Sequence, residues 1–148
     1  MDRRKSGSKH HLLVDAGGIP LVARLTGANR HDSTQLIEMV DQIPKVAGKV
    51  GHPLSHPKLL LADRGYDYDD KCRRPLRERR ITPVIARKTD PHGSGLGLWR
   101  YVVEQSIALF HQFRRLRTRF DKRDDIHQAF MDLGMSVMCW RRLNHGYF

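Results

Sequence analysis

Apolar residues in the first third of the chain follow the spacing of two strands and then of a helix. Two short apolar runs, 11–15 and 21–26, flank a glycine-containing segment, which predicts a β-hairpin. Over 36–43 the apolar residues recur at helical spacing behind a run of polar capping residues. This pattern predicts a helix that ends at Pro44.

The middle of the chain has the pattern of a strand, a helix and a second strand. The continuous apolar run 59–62 predicts a buried strand that ends at Asp63. The charged segment 69–80 turns Cys72 inward and predicts a helix, and 81–85 predicts the next strand. Since the crossover is long enough for parallel pairing, we expect a βαβ unit after the hairpin.

The last third of the chain predicts two amphipathic helices after a glycine-rich loop at 91–97. One helix begins near Leu98 and the other lies near the C-terminus. We expect the second helix because an apolar stripe recurs there at helical spacing, formed by Ile126, Phe130, Leu133, Val137 and Trp140.

Length and net charge limit the number of domains and the type of partner that this chain can have. The chain has 148 residues, and 27 lysines and arginines against 16 aspartates and glutamates give a net charge of +11. This length predicts one domain, 10–148, behind a basic polar arm at 1–9. No apolar run approaches the about 20 residues of a membrane-spanning helix, so we expect a cytoplasmic protein. The arginine excess favours a polyanionic partner, although a GC-rich genome would also enrich arginine.

Two acidic residues occupy positions suited to chemistry. Asp63 follows a buried strand, where a carboxylate is held rigidly and reaches solvent, although a strand-ending turn also accounts for it. Glu104 lies on one side of a predicted helix with Arg100 and His111, although an ordinary Arg100–Glu104 surface pair is a simpler interpretation. In a basic protein, two such carboxylates suggest shared divalent metal ions and phosphodiester chemistry.

Four segments between Ser6 and Leu143 carry recognisable motifs in a fixed order. They are GSKHHLLVD at 7–15, LADRGYD at 61–67, and RYVVE at 100–104 followed by FRRL at 113–116. Together they resemble the DDE-type transposases of bacterial insertion sequences, and insertion-sequence family five in particular. The resemblance covers nearly the whole chain.

The resemblance implies an α/β, RNase H-like fold, in which a mixed sheet is flanked by helices, and metal-dependent cleavage and strand transfer of DNA at insertion-sequence ends. The family's first acid lies on a strand upstream of the hairpin, so we expect this sheet to lack its first strand and the chain alone to cut DNA poorly. An upstream-frame polypeptide or fusion would supply that acid. The alternative is a non-catalytic DNA-binding remnant or a regulator of transposition. An exposed sheet edge also predicts pairing with a second copy.

The same resemblance implies roles for individual residues. Asp63, in a motif completed by Gly65 and Tyr66, would be the second acid, and Glu104 the last. Both would bind a pair of Mg²⁺ or Mn²⁺ ions. DNA-contacting roles fall to Arg100, four residues before the glutamate, and to His111, where relatives carry a basic residue.

Two further candidates for DNA contact remain open. A basic run beyond the predicted Glu104 helix could follow a DNA backbone, and it consists of Arg114, Arg115, Arg117 and Arg119. The alternative is a solvated segment whose charges pair with the aspartates at 121, 124 and 125. Tyr66 is either a core residue or stacks on a base.

Overall fold

A computed structural model describes residues 7–45, 50–54, 56–89 and 97–145. Most of the predicted arm at 1–9 and of the predicted loop at 91–97 lies outside these residues. The chain divides into two compact units. The first unit comprises Met1–Arg30 and Tyr101–Phe148, and the second comprises His31–Arg100.

Four strands and five α-helices form the regular structure of the described residues. The strands are β1 (Ser8–Val14), β2 (Pro20–Gly27), β3 (Leu59–Ala62) and β4 (Thr82–Ile85). The helices are α1 (Leu36–Asp41), α2 (Arg74–Glu78), α3 (Gly97–Phe110), α4 (Arg114–Arg117) and α5 (Asp124–His145). Short 3₁₀ turns cover Asp32–Thr34 and Arg64–Tyr66, and one π-helical turn covers Asp69–Arg73.

The predicted hairpin is confirmed, and it opens the first unit. Strands β1 and β2 pair antiparallel along their length, with Ser8 opposite Gly27. Asp15 forms the turn because its Oδ1 accepts hydrogen bonds from the backbone N–H groups of Gly17 and Ile19, both at 2.8 Å. Gly18 has φ +80°, a conformation that favours glycine.

Helix α5 packs against β2 through Met131 and Met138. Both side chains are fully buried, in a core with Ala23, Phe110 and Leu116. The apolar residues that predicted the helix lie only partly on this face, since Phe130 packs against the core whereas Leu133 is 58% and Trp140 is 62% exposed. Both sets of residues have helical spacing, and contact with the hairpin decides which side chains are buried.

One α5 side chain completes the outer edge of β2. Gln128 Oε1 accepts a hydrogen bond from the Leu25 N–H at 3.0 Å, and its Nε2 donates to the Ala23 carbonyl at 2.9 Å. A side-chain amide thus replaces the neighbouring strand that these backbone groups would otherwise require.

The second unit contains the predicted βαβ arrangement. Strand β3 pairs in parallel with β4, with Leu61 opposite Val84, and the crossover runs through the π-helical turn and α2. Cys72 and Leu76 are fully buried, as expected. Strand β3 is less buried than its apolar sequence suggests, and Leu59 is 47% exposed. The reason is that a sheet of only two strands leaves part of its faces uncovered.

The described strands form two separate two-stranded sheets, β1–β2 and β3–β4. The chain is therefore a mixed α/β protein with one antiparallel and one parallel pair. Within the described ranges, no helix is both long enough and apolar enough to cross a membrane.

The edge role of Gln128 gives a stability prediction. We expect Gln128→Leu to lower the free energy of unfolding by about 2 kcal/mol, because the variant leaves the Ala23 carbonyl and the Leu25 N–H without their partner. Urea denaturation measures the change. The control is Gln112→Leu at an exposed position, which we expect to stay within about 0.5 kcal/mol of the original chain. Equal losses in both variants would contradict the edge role.

Candidate nucleic-acid and metal-binding site

Asp63 lies at the carboxyl end of β3, where the sequence places it. Its Oδ1 accepts a hydrogen bond from the Gly65 N–H at 2.8 Å and caps the 3₁₀ turn that follows the strand. The residue is exposed, and no hydrogen bond from a described residue reaches Oδ2. The turn-forming and the functional interpretations of Asp63 are therefore compatible, because the cap uses one of the two carboxylate oxygens.

Gly65 permits this close approach. A Cβ atom at position 65 would lie 3.0 Å from Asp63 Oδ1, so a side chain there would require the carboxylate to shift by a few tenths of an ångström. The absence of a side chain at Gly65 thus leaves room for the observed orientation of the Asp63 carboxylate.

Tyr66 is half-buried beside the same acid. Burial raises the pKa of its phenol well above the usual range, and the negative charges of Asp32 and Asp63 raise it further. Tyr66 is therefore a neutral hydrogen-bond donor at neutral pH. Both of its sequence interpretations, core residue and base-stacking residue, fit a half-buried position.

Hydrogen bonds of Asp67 and Arg73, which together form the Asp67–Arg73 lock, hold the turn that follows Asp63. Arg73 donates to Asp67 Oδ1 from Nη2 at 2.7 Å and from Nε at 3.1 Å, and it donates also to the Ile85 carbonyl at 2.9 Å. Asp67 Oδ2 accepts from the Lys88 N–H at 2.9 Å. That backbone bond and Arg73 together hold the pKa of Asp67 below its usual range. The lock joins the end of β3 to the end of β4.

Sequence reasoning missed this lock. Its members lie in three separate segments, and pairing of the end of β4 with the turn after β3 is not visible in any local spacing. Asp67 belongs to the quoted motif, but its sequence neighbours do not identify Arg73 or Lys88 as its partners.

Glu104 and Arg100 are both exposed on α3, four residues apart. Each of these two residues makes a hydrogen bond, an ion pair or another electrostatic contact. Glu104 belongs to the first unit, whereas Asp63 belongs to the second.

His111 directly follows α3 and joins two other histidines. The Nε2 atom of His111 lies 3.2 Å from His10 Nδ1, and the Nε2 atom of His10 lies 2.9 Å from His127 Nε2. Burial, together with the neighbouring imidazoles, lowers the pKa of His10 to about 4, and burial lowers that of His127. Sequence analysis missed His10 and His127 because more than a hundred residues separate them.

The basic run divides into paired and available arginines. Arg115 Nη1 lies 3.2 Å from Asp121 Oδ1, and Arg119 binds Asp124, the Ser8 hydroxyl and two backbone carbonyls. Arg114 lies over the Phe120 ring. Arg117 is exposed and makes no side-chain hydrogen bond or ion pair with a described residue. Arg117 is thus the member of the run with the greatest freedom to meet a ligand.

The donor chemistry of the two acids suits a hard divalent cation, since carboxylate oxygens are the ligands that Mg²⁺ and Mn²⁺ prefer. The free Oδ2 of Asp63 could provide one such ligand. In the described part of the chain, no three histidine, cysteine, aspartate or glutamate side chains converge on one metal position.

The histidine cluster predicts a pH-dependent stability. His10 has a folded pKa of about 4 against an ordinary 6.5, so the unfolded chain takes up the proton first. The contribution of this group is complete above pH 6.5 and is lost as the pH falls towards 4. We expect His10→Gln to flatten the dependence of unfolding free energy on pH between 7 and 5, in urea titrations. The exposed control His52→Gln should leave that slope unchanged.

Comparison with known proteins agrees with these motifs. Residues 2–93 match a family model described as transposase DDE domain. A Burkholderia cepacia protein named as a transposase for insertion sequence element IS402 is 54% identical over 142 residues, which cover 96% of this chain and 67% of that protein. The transposase for insertion sequence element IS1106 of Neisseria meningitidis serogroup B is 29% identical over 127 residues, 78% of this chain and 40% of that protein. No solved structure matches. Because the family match covers more than half of its length, the chain belongs to the DDE-type transposases of insertion sequences.

Proposed function

We propose that this chain is the catalytic part of its transposase, and that it cleaves and joins DNA at the ends of an insertion sequence. The observation that carries the proposal is Asp63, which stands at the end of a parallel strand with one carboxylate oxygen capped and the other open. A carboxylate fixed in this way on a rigid element can hold a metal ion in a defined position. The RNase H-like fold and membership of insertion-sequence family five are parts of the same proposal.

Asp63 and Glu104 would be the two metal-binding acids that the chain itself provides. A pair of Mg²⁺ or Mn²⁺ ions, when bound, would activate the attacking oxygen and stabilise the leaving oxygen of a phosphodiester. Asp63 would present its Oδ2 while the Gly65 N–H keeps the carboxylate in one orientation. The Asp67–Arg73 lock would keep the turn in place during the reaction.

The third acid would come from a second polypeptide, encoded in an upstream frame or fused to this chain. Both relatives are longer than the chain, which spans 67% of one and 40% of the other. Strands β1 and β3 each have one strand neighbour among the described residues, so each could accept a further strand. A second copy of the chain could use the same edges.

DNA would be held through arginine side chains. In the basic run, Arg117 and Arg114 carry charges that no described carboxylate pairs, whereas Arg115 and Arg119 bind aspartates. Phosphate contacts by such side chains position DNA without selecting its sequence. Arg100, His111 and Tyr66 are further candidates for DNA contact.

The role of Asp63 can be tested in a reconstituted protein. The polypeptide translated from the DNA upstream of Met1 is supplied with the full chain, and nicking of insertion-sequence ends is followed with Mg²⁺ or Mn²⁺. We expect Asp63→Asn to reduce nicking at least 100-fold, because the amide removes a charged metal ligand. The matched control is Asp69→Asn, an exposed aspartate that pairs with Arg77, and it should keep nearly full activity. Intact nicking in Asp63→Asn would overturn the catalytic assignment. DNA binding without nicking in any protein would instead support a regulator or remnant.

Substitution of Arg117, which no described carboxylate pairs, should affect DNA binding more than substitution of an arginine that already pairs with an aspartate. We expect Arg117→Ala to weaken duplex DNA binding and to reduce the slope of log K against log salt by about 1, because one phosphate contact is lost. Arg123→Ala is the control, since Arg123 already pairs with Asp125, and it should change the slope much less. Fluorescence anisotropy over 50–200 mM salt measures both slopes. Unchanged slopes would identify the run as a solvated face.

A further inference from the structure

We propose that Asp121, His127 and His10 form a polar chain that positions His111 and leaves its Nδ1 atom without a proton at the end that contacts DNA. Asp121, His127 and His10 are positioning residues in this proposal, because each acts on DNA only through His111. The DNA part of the proposal rests on the proposed function, whereas the arrangement of hydrogen atoms can be tested without DNA.

The geometry of the chain is continuous within the first unit. His111 Nε2, His10 Nδ1, His10 Nε2 and His127 Nε2 follow one another through contacts of 3.2 and 2.9 Å. The His10 and His127 rings are stacked, with centroids 5.1 Å apart. His127 is fully buried, and its Nδ1 lies 3.8 Å from Asp121 Oδ2. His111, at the other end, is only half-buried.

Because His10 is neutral, the hydrogen bonds of this polar chain must all run in one direction. The low pKa of His10 means that the imidazole carries a single N–H at neutral pH. With neighbours on both ring nitrogens, His10 must donate one hydrogen bond and accept the other. Whichever way His10 is protonated, the hydrogen positions of His127 and His111 follow from it.

The carboxylate of Asp121 decides that direction. Its Oδ2 and the Nδ1 of His127 are both buried, and neither has a hydrogen-bond partner among the described residues. A buried acceptor facing a buried ring nitrogen favours a proton on His127 Nδ1. His127 Nε2 then accepts from His10 Nε2–H, and His10 Nδ1 accepts from His111 Nε2–H. His111 Nδ1 is left without a proton.

The charges around the cluster keep its interior neutral. Arg119 and His11 both lower the pKa of His10, as do the two neighbouring imidazoles. Arg119 also disfavours a proton on His127, whereas Asp121 and Asp124 favour it. Burial and Arg119 prevail at His127, so the interior of the cluster stays neutral.

Imidazole ¹⁵N NMR of the full chain at pH 7.5 tests the chain of hydrogen atoms. We expect protons on His127 Nδ1, His10 Nε2 and His111 Nε2, with resonances assigned through single histidine-to-glutamine variants. Asp121→Asn should shift this distribution, because the amide no longer imposes a direction. The matched control is Asp125→Asn, an exposed aspartate of α5 that pairs with Arg123, and it should not shift it. A proton on His111 Nδ1, or no response to Asp121→Asn, would overturn the proposal.

A second measurement addresses the DNA contact. The Kd for a duplex at fixed salt and pH is compared between the original chain and His111→Gln, which we expect to weaken binding. Circular dichroism verifies that both proteins are folded. An unchanged Kd in His111→Gln would overturn the DNA contact. If the expected tautomers are found but no protein binds DNA, the proposed function fails while the positioning chain is supported.

Discussion

Each unit of this chain depends on the same constraint, which is that a two-stranded sheet is too small to be stable without a covering helix. The first unit meets it with α5, whose methionines pack against β2 and whose Gln128 completes the edge of that strand. The second unit meets it with the crossover, whose helix α2 contacts β4 and whose residues Cys72 and Leu76 are fully buried. The candidate acids are exposed, Asp63 at the end of β3 and Glu104 on α3.

The large positive charge is partly used within the structure. Arg73 fixes the turn after β3, Arg79 forms two hydrogen bonds to Asp41, and Arg119 joins the start of β1 to the loop before α5. Charge counted from the sequence therefore overstates the charge available to a DNA backbone. Arg117 remains available because no acidic residue of the described chain reaches it.

Local patterns predicted the hairpin, the parallel βαβ pair and the C-terminal helix, because each depends on the spacing of neighbouring residues. The buried face of α5 could not be predicted in this way, since two apolar stripes compete and only the hairpin selects between them. The pairing of Asp67 with Arg73 and the meeting of His10 with His127 depend on contacts between distant segments. Asp63 was predicted at its observed place because a strand end is a local feature.

The structure shows how one carboxylate would serve both the fold and the proposed reaction. Capping of the 3₁₀ turn occupies Oδ1 of Asp63 through the hydrogen bond from the Gly65 N–H. Oδ2 is then directed by the same contact that completes the turn, so that folding itself orients the acid. His111 follows the same logic in the first unit, where His10 contacts one ring nitrogen and the other is left for the proposed DNA contact. In both places, a contact within the unit holds one polar atom and thereby positions the other.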